Sequence, residues 1–521
     1  VVLRTIASSA ALLVGLAIIG SLAGPAWDPV PNSDHLRPTA ASTEIGGQEA
    51  AKEAGLIHPV GSFDVHETTV HIQLDGYDVS GILRQPVGAG TDLPGMVFVH
   101  GAGTGKAYEA FVEQASQLAS AGVVTLVPDK RLDTYSTWHR DYVAMASDYL
   151  KSVDYLRGVP GVDPAKVGVY GESEGTWIVP IMQVKDPKIA YTVLVSSPVV
   201  EPRRQAAFAV DNYLRATGVP QQVFRAIPRA VGIQLPRGLL DYADFDVTPW
   251  LEQQTAPILV VYGTGDPSMP IEQGARQIIA NAAVSGPSAP VTVRFYKGAN
   301  HGLRIDDVVV PELARDIGAW VQGLPGTAGA DPHIAGDQPH QVYLASPVPK
   351  TRWWGSSDVI LGSVIGAVAL LLVGPLVWGV VAVVQRIAAV GRGTPSSRPR
   401  ARLAPGMRPL LLALGLTSVV TLVALVVYLM AVARLALNYM TDDLVVQGGW
   451  IGVRLLGVGA VVVAALIIGR VRDVRQARRE GDAGSRVAVA WPAHLTLWSA
   501  LAGSALLLLW LTYWGVFQLG I

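Results

Sequence analysis

The chain has 521 residues, a formal net charge of −1, 16% charged residues and a mean hydropathy of +0.36. That length implies two or three modules, and the composition excludes a polybasic nucleic-acid binder and a disordered polymer while pointing to membrane segments. Cysteine is absent, which excludes a disulfide framework, thiolate catalysis and a cysteine-ligated metal.

The first element is an uncharged apolar stretch, 6–24, preceded by Arg4. Its length fits a signal peptide or a single membrane anchor, and Ser21-Leu22-Ala23 suits a signal peptidase, so residues 1–26 are expected to be one or the other. Residues 27–56 are rich in Pro, Ala, Ser and Gly without sustained periodicity and read as a linker. Next, HETTVHIQLDGYDVSGILRQP places two alternating runs around Asp75-Gly76, which predicts a hairpin. Short apolar runs at 96–99, 123–127, 167–170, 191–195, 258–262 and 291–296 then alternate with helix-length segments. That rhythm predicts a mostly parallel sheet with helices on both faces, across a domain of residues 57–325. It breaks at 199–254, expected to be a helical lid insertion that sets specificity. Residues 326–356 read as a second linker.

Four long apolar segments follow, 359–384, 409–433, 450–469 and 491–518, within a membrane region of residues 357–521. Each reaches or exceeds the ~20 residues that cross a hydrocarbon core. Arg386, Arg392, Arg398, Arg400, Arg402 and Arg408 separate the first pair. Arg470, Arg472, Arg475, Arg478, Arg479 and Arg486 separate the last pair, whereas the middle loop holds Asp442 and Asp443. Positive-inside bias puts both arginine clusters in the cytoplasm and the 57–325 domain outside it, in a multi-pass protein of a bacterial cell membrane. Trp353, Trp354, Trp450 and Trp491 flank helix ends as an interfacial belt would. Arg434 and Arg454 are expected to snorkel and pair with Asp442 and Asp443.

Chemistry concentrates at the carboxyl ends of the predicted strands, where open sheets of this kind form their sites. Ser173 stands in VGVYGESEGTWIVP, after a strand and before a helix, with Gly171 and Gly175 leaving room for a tight turn. Asp266 follows the strand at 258–262, and His301 follows the one at 291–296. A serine hydroxyl needs an imidazole to take its proton, and the imidazole needs a carboxylate to fix its tautomer; Ser173, His301 and Asp266 supply those groups. The turn VFVHGAGTG, with His100, Gly101 and Gly103, aims backbone N–H groups outward, so Ala102 and Glu174 are the expected oxyanion donors. GAGTGK lacks the spacing and the Ser/Thr of a phosphate-binding loop.

Taken in order, the HGAG turn, VPDKR, VDPAKVGVYGESEGTWIVP, SSPV, PILVVYGTGDPSMP and GANHG resemble bacterial α/β-hydrolases of the serine-aminopeptidase and dienelactone-hydrolase-like group. The likeness runs over about residues 65–324. It implies an α/β-hydrolase fold and a Ser/Asp/His triad, and leaves open whether the substrate is an ester, a thioester or a peptide. Two positions depart from the group: Glu172 stands where relatives often carry His, and Arg131-Leu132-Asp133 where they often carry Arg-Gly-x-Gly. The four-helix membrane region lies outside the resemblance.

Other polar residues read as structural or solvated. His35, His58, His66, His71 and His139 lack a strand-end position. His333 and His340, with Asp331 and Asp337, sit in the second predicted linker, and Asp241, Asp244 and Asp246 have poor calcium spacing. Asp306 and Asp307 are fallback acids that follow His301. Glu172 and Glu174 are expected to point away from the scissile bond, a substrate amine being the alternative. No cofactor and no metal are implied. The expected protein is a membrane-tethered extracytoplasmic serine hydrolase with an acyl ester or amide substrate, envelope- or lipid-linked. The alternatives are an acyltransferase with the same triad and a non-catalytic hydrolase-fold scaffold on a functional membrane region.

Overall fold

The computed structural model describes residues 2–103, 105–236, 239–284, 289–392, 401–438, 440–482 and 484–518. It contains two units: Val1–Trp27, Val210–Pro236 and Val348–Ile521 form one, Asp28–Ala209 and Arg237–Pro347 the other. The chain opens with helix α1 (Val2–Ala23) of the first unit.

In the second unit the alternating runs around Asp75-Gly76 become β1 (Val65–Leu74) and β2 (Tyr77–Pro86), an antiparallel hairpin. The later apolar runs become β3 (Leu93–Val99), β4 (Val124–Pro128), β5 (Val162–Glu172), β6 (Thr192–Val195), β7 (Ile258–Gly263) and β8 (Val291–Tyr296); β9 (Ile334–Gly336) closes the sheet. The spatial order is β1-β2-β4-β3-β5-β6-β7-β8-β9. From β4 onward neighbours run parallel, while β2 joins β4 antiparallel. Successive side chains on a strand face opposite sides of the sheet, so it carries two cores. Val97 and Val99 pack with helices α3 (Tyr142–Arg157), α4 (Gly175–Lys185) and α5 (Ile271–Asn281). Met96 and Phe98 point the other way, toward α2 (Val112–Ser120) and α6 (Pro311–Gln322).

Both segments predicted as linkers belong to this unit. Ala40 bridges to Ala335, Pro31 bridges to Tyr343, and β9 pairs with β8 inside 326–356. Two buried side chains hold them. Glu272 accepts the N–H groups of Leu36 (2.8 Å) and Gln341 (2.6 Å) and pairs with His35 (3.1 Å). The Arg294 guanidinium donates to the carbonyls of Thr43 (2.8 Å), Glu44 (3.1 Å) and Pro332 (3.0 Å). Irregular backbone satisfied by side chains carries no apolar period, which is why the sequence pattern missed it.

In the other unit, α1 is joined by α7 (Ser357–Arg392), α8 (Met407–Leu437), α9 (Gly449–Arg479) and α10 (Trp491–Tyr513). These five helices are long and apolar enough to cross a membrane. Three outrun their predicted apolar segments. Arg470, Arg472, Arg475, Arg478 and Arg479 therefore sit on helical turns of α9, and Arg386 on α7, because arginine extends a helix as readily as leucine does. Arg398 and Arg400 lie outside the described residues. At the opposite end, Arg454 donates to the Gln518 carbonyl (2.7 Å) and Asp442 accepts the Val445 N–H (3.1 Å), in place of the expected pairing.

The 199–254 insertion, expected to be a lid, is divided between the two units. Residues 210–236 cluster with the helical unit and the remainder with the sheet unit. Within the helical unit Arg229 is buried and donates to the carbonyls of Gly20 on α1 and Tyr513 on α10. Tyr213 also donates to the Met440 carbonyl (2.9 Å).

Candidate active site

The β5 strand runs into a turn in which Ser173 holds φ +54°, the left-handed region that a non-glycine residue seldom adopts. Its N–H donates to the Val195 carbonyl at the end of β6 (2.9 Å). The flanking glycines are steric necessities. A Cβ at Gly175 would lie 2.5 Å from the Val99 carbonyl oxygen, and one at Gly171 would lie 2.7 Å from Val179 Cγ2. Gly175 opens α4, where first-turn N–H groups have no acceptor within the helix.

His301 reaches the same strand end. Its carbonyl accepts from Ser196 Oγ (2.7 Å), one residue past β6. Its Nδ1 lies 2.8 Å from Asp266 Oδ2. The other carboxylate oxygen, Oδ1, accepts the N–H (2.8 Å) and the hydroxyl (2.7 Å) of Ser268. Burial opposes the imidazolium of His301, but the charge and hydrogen bond of Asp266, joined by the charge of Glu172, outweigh it and raise the pKa. Burial likewise opposes ionisation of Asp266, and His301 and Ser268 overcome it, so that its pKa is lowered. Glu172, adjacent to Ser173, accepts a hydrogen bond from the Tyr170 hydroxyl (3.1 Å). Burial pushes its pKa up, with the charge of His301 opposing.

On the other flank Glu174 is buried among four donors. Lys130 Nζ (3.2 Å), Arg140 Nη1 (2.5 Å), the Tyr135 hydroxyl (2.8 Å) and the Tyr142 hydroxyl (3.3 Å) surround it. Lys130 also donates to the Gly101 carbonyl (2.7 Å), which ties the turn after β3 to the residue following Ser173. Inside that turn His100 is wholly buried and its Nε2 lies 2.6 Å from the Pro128 carbonyl. Burial pushes the His100 pKa down to about 4, so it is a neutral strut. Ala102 and Gly103 stand exposed beside it.

Residues 109–326 match the Prolyl oligopeptidase family. This region has an α/β-hydrolase fold. No curated protein sequence matches the chain. Among solved structures, Est1E from Butyrivibrio proteoclasticus is similar at 17% identity, 48% of this chain, 96% of that one and a TM-score of 0.34. A protein from Bacteroides ovatus assigned as a dipeptidyl aminopeptidase IV gives 16%, 50%, 36% and 0.35. Dipeptidyl peptidase 4 of Porphyromonas gingivalis gives 15%, 46%, 33% and 0.34. The chain thus spans about a third of the length of the two peptidases. All three likenesses are remote, and the fold assignment rests on the sheet order and the family match.

The hydrolase unit brings Ser173, Asp266, His301, Gly171, Gly175, His100, Gly101 and Glu174 to one end of the sheet. Asp306 and Asp307 sit in the positive-φ turn between the short strands 304–305 and 308–309, and the His301 ring pairs with Asp266. The acidic residues of the 241–246 segment take separate partners: Asp241 pairs with His139 (2.6 Å), Asp244 with Arg203 (2.6 Å), and Asp246 accepts the Thr248 N–H (2.9 Å). His333 pairs with Asp331 (3.4 Å), while Asp337 accepts from Thr264 (3.1 Å) and His340 stacks on His35. Among the described residues no group of three or more such ligands is placed to hold a metal. Glu174 is not free for a substrate amine. Its partners Lys130, Arg140, Tyr135 and Tyr142, and the supports Ser268 and Ser196, escaped the sequence reading. Lys130 within VPDKR and Ser196 within SSPV were visible as motif residues without a role.

Proposed function

We propose that the chain is a membrane-tethered hydrolase that cleaves an ester, thioester or amide through an acyl-serine on Ser173. The observation that carries this reading is the Asp266–His301 pair at 2.8 Å, anchored with Ser173 on the end of β6. With Nδ1 facing Asp266, His301 has Nε2 left to take the Ser173 proton as the Oγ–acyl bond forms. The same proton then goes to the leaving group as its bond to the acyl carbon breaks, and water enters by the reverse sequence. The N–H groups of Ala102 and Glu174 receive the oxyanion, each worth ~3–4 kcal/mol of transition-state stabilisation. Five apolar helices and the arginine clusters support a multi-pass protein with the hydrolase unit outside the cytoplasm, acting on envelope- or lipid-linked acyl groups.

A fluorophosphonate probe tests the assignment on the full-length protein. Wild type labels at one site; Ser173→Ala abolishes labelling and His301→Ala reduces it at least about a hundredfold. Labelling that survives in Ser173→Ala, or a silent wild type, overturns it.

A further inference from the structure

Outside the hydrolase unit, α7 and α8 each pack along α10, leaving between them a groove of about 550 Å³. One face of α8 makes the first wall, with Arg408, Leu412, Gly415 and Val419 repeating at helical spacing. Opposite stand Leu371, Pro375 and Trp378 of α7, and Thr496 and Ala500 of α10 form the floor. Two features give the groove a direction. At one end the Arg408 guanidinium lies over the Trp378 ring at 4.3 Å, and Arg470 donates to the nearby Pro405 carbonyl (2.9 Å). Toward the other end the walls close up, a Cβ at Gly415 falling 3.2 Å from Leu371 Cδ2.

The dimensions name the occupant. From Arg408 to Val419 an α-helix rises about 16 Å, close to one leaflet, half of a hydrocarbon core of ~30 Å. Apart from Arg408 and Thr496 the lining residues named above are apolar or glycine, and among the described residues no carboxylate lines the groove. A cation at the headgroup level above an apolar slot one leaflet deep is complementary to an anionic phospholipid. We propose that this groove binds one, its acyl chain along α8 and its phosphate on Arg408.

The inference requires these helices to span a bilayer, which resistance to alkaline carbonate extraction checks first. Full-length protein is then reconstituted with an equimolar mixture of phosphatidylglycerol and phosphatidylcholine, re-extracted in detergent, and weighed by native mass spectrometry. One phosphatidylglycerol per chain is expected to stay bound in several-fold excess over phosphatidylcholine. Arg408→Gln should cut its retention about tenfold, a charge-assisted phosphate contact being lost. Gly415→Leu, which fills the slot, should remove both lipids, and Arg486→Gln, outside the groove, should change nothing. Equal retention of the two lipids, with Arg408→Gln unchanged, overturns the proposal. So does efficient cross-linking of Leu412→Cys between two copies, which would make this face a self-interface. Failure of the carbonate test removes the membrane reading itself, and fluorophosphonate labelling is unaffected by either outcome.

Discussion

Asp266 and Glu174 are both buried carboxylates beside Ser173, yet one faces an imidazole that titrates near neutrality and the other faces a cluster of four donors without a histidine. Asp266 meets His301, whose side chain keeps 22% of its surface exposed. Glu174 meets Lys130 and Arg140, and both the Lys130 and Glu174 side chains are 1% exposed. A histidine changes charge near neutrality, whereas arginine stays charged throughout, and burial of Lys130 lowers its pKa while Glu174 opposes the change. In the proposed mechanism the first pair is a reversible proton acceptor. The second is a fixed brace that holds the His100-Gly101 turn against the elbow. The comparison breaks if the two carboxylates fail in the same way when each is disturbed.

The largest effect belongs to Asp266→Asn. An amide in place of the carboxylate keeps the shape but favours the wrong tautomer of His301, and in a Ser-His-Asp site this drops kcat by about 10⁴. Hydrolysis of a water-soluble short-chain ester measures it, with thermal unfolding alongside. A loss under about tenfold, at unchanged folding, would mean that His301 is oriented by something other than Asp266.

Lys130→Met disturbs the brace. Removing one partner of a buried ion pair costs about 3–5 kcal/mol, and Arg140 with the two tyrosine hydroxyls keeps the cost at the lower end. A melting temperature lower by roughly 6–12 °C is expected for a domain of this size. Ester hydrolysis well below the new transition should fall far less than in Asp266→Asn. Collapse of activity with an unchanged melting temperature would put Lys130 in the chemistry and erase the contrast.

The two flanks were unequally legible in sequence. Ser173, Asp266 and His301 stand at strand ends whose apolar runs are plain in the chain, so position alone nominated them. Lys130 and Arg140 lie on the segment after β4, and nothing local signals that Glu174 will meet them. Their grouping is a property of the sheet order, in which β3 lies between β4 and β5. The segments around Ala40 and Ala335 were illegible for a related reason. Their backbone groups are answered by Arg294 and Glu272, hundreds of residues away in one case, and such bonds leave no period to read. The long apolar helices were the reverse case, because length and apolarity are local. Only their arginine-bearing ends were misjudged, where charge was mistaken for the end of a helix.

Glu172 is the smallest disturbance and the finest test of the reversible pair. It stands next to Ser173, holds the Tyr170 hydroxyl, and adds its charge to that of Asp266 in raising the pKa of His301. In the proposed mechanism the free base is the working form, so the acid limb of kcat/KM should follow the pKa of His301 in the free enzyme. Glu172→Gln keeps the contact to Tyr170 and removes the charge. The imidazolium loses a stabilising neighbour, its pKa falls, and the acid limb moves to lower pH. The plateau should change by less than about tenfold, ~1.4 kcal/mol, because Asp266 still orients the ring. A pH–rate profile of the two proteins on the same short-chain ester decides it. A limb that stays in place would mean that Glu172 is already protonated where His301 titrates, its burial having overcome the pull of the imidazolium. In that case Asp266 alone sets the charge state on this flank, and the contrast with Glu174 becomes one of single against multiple partners.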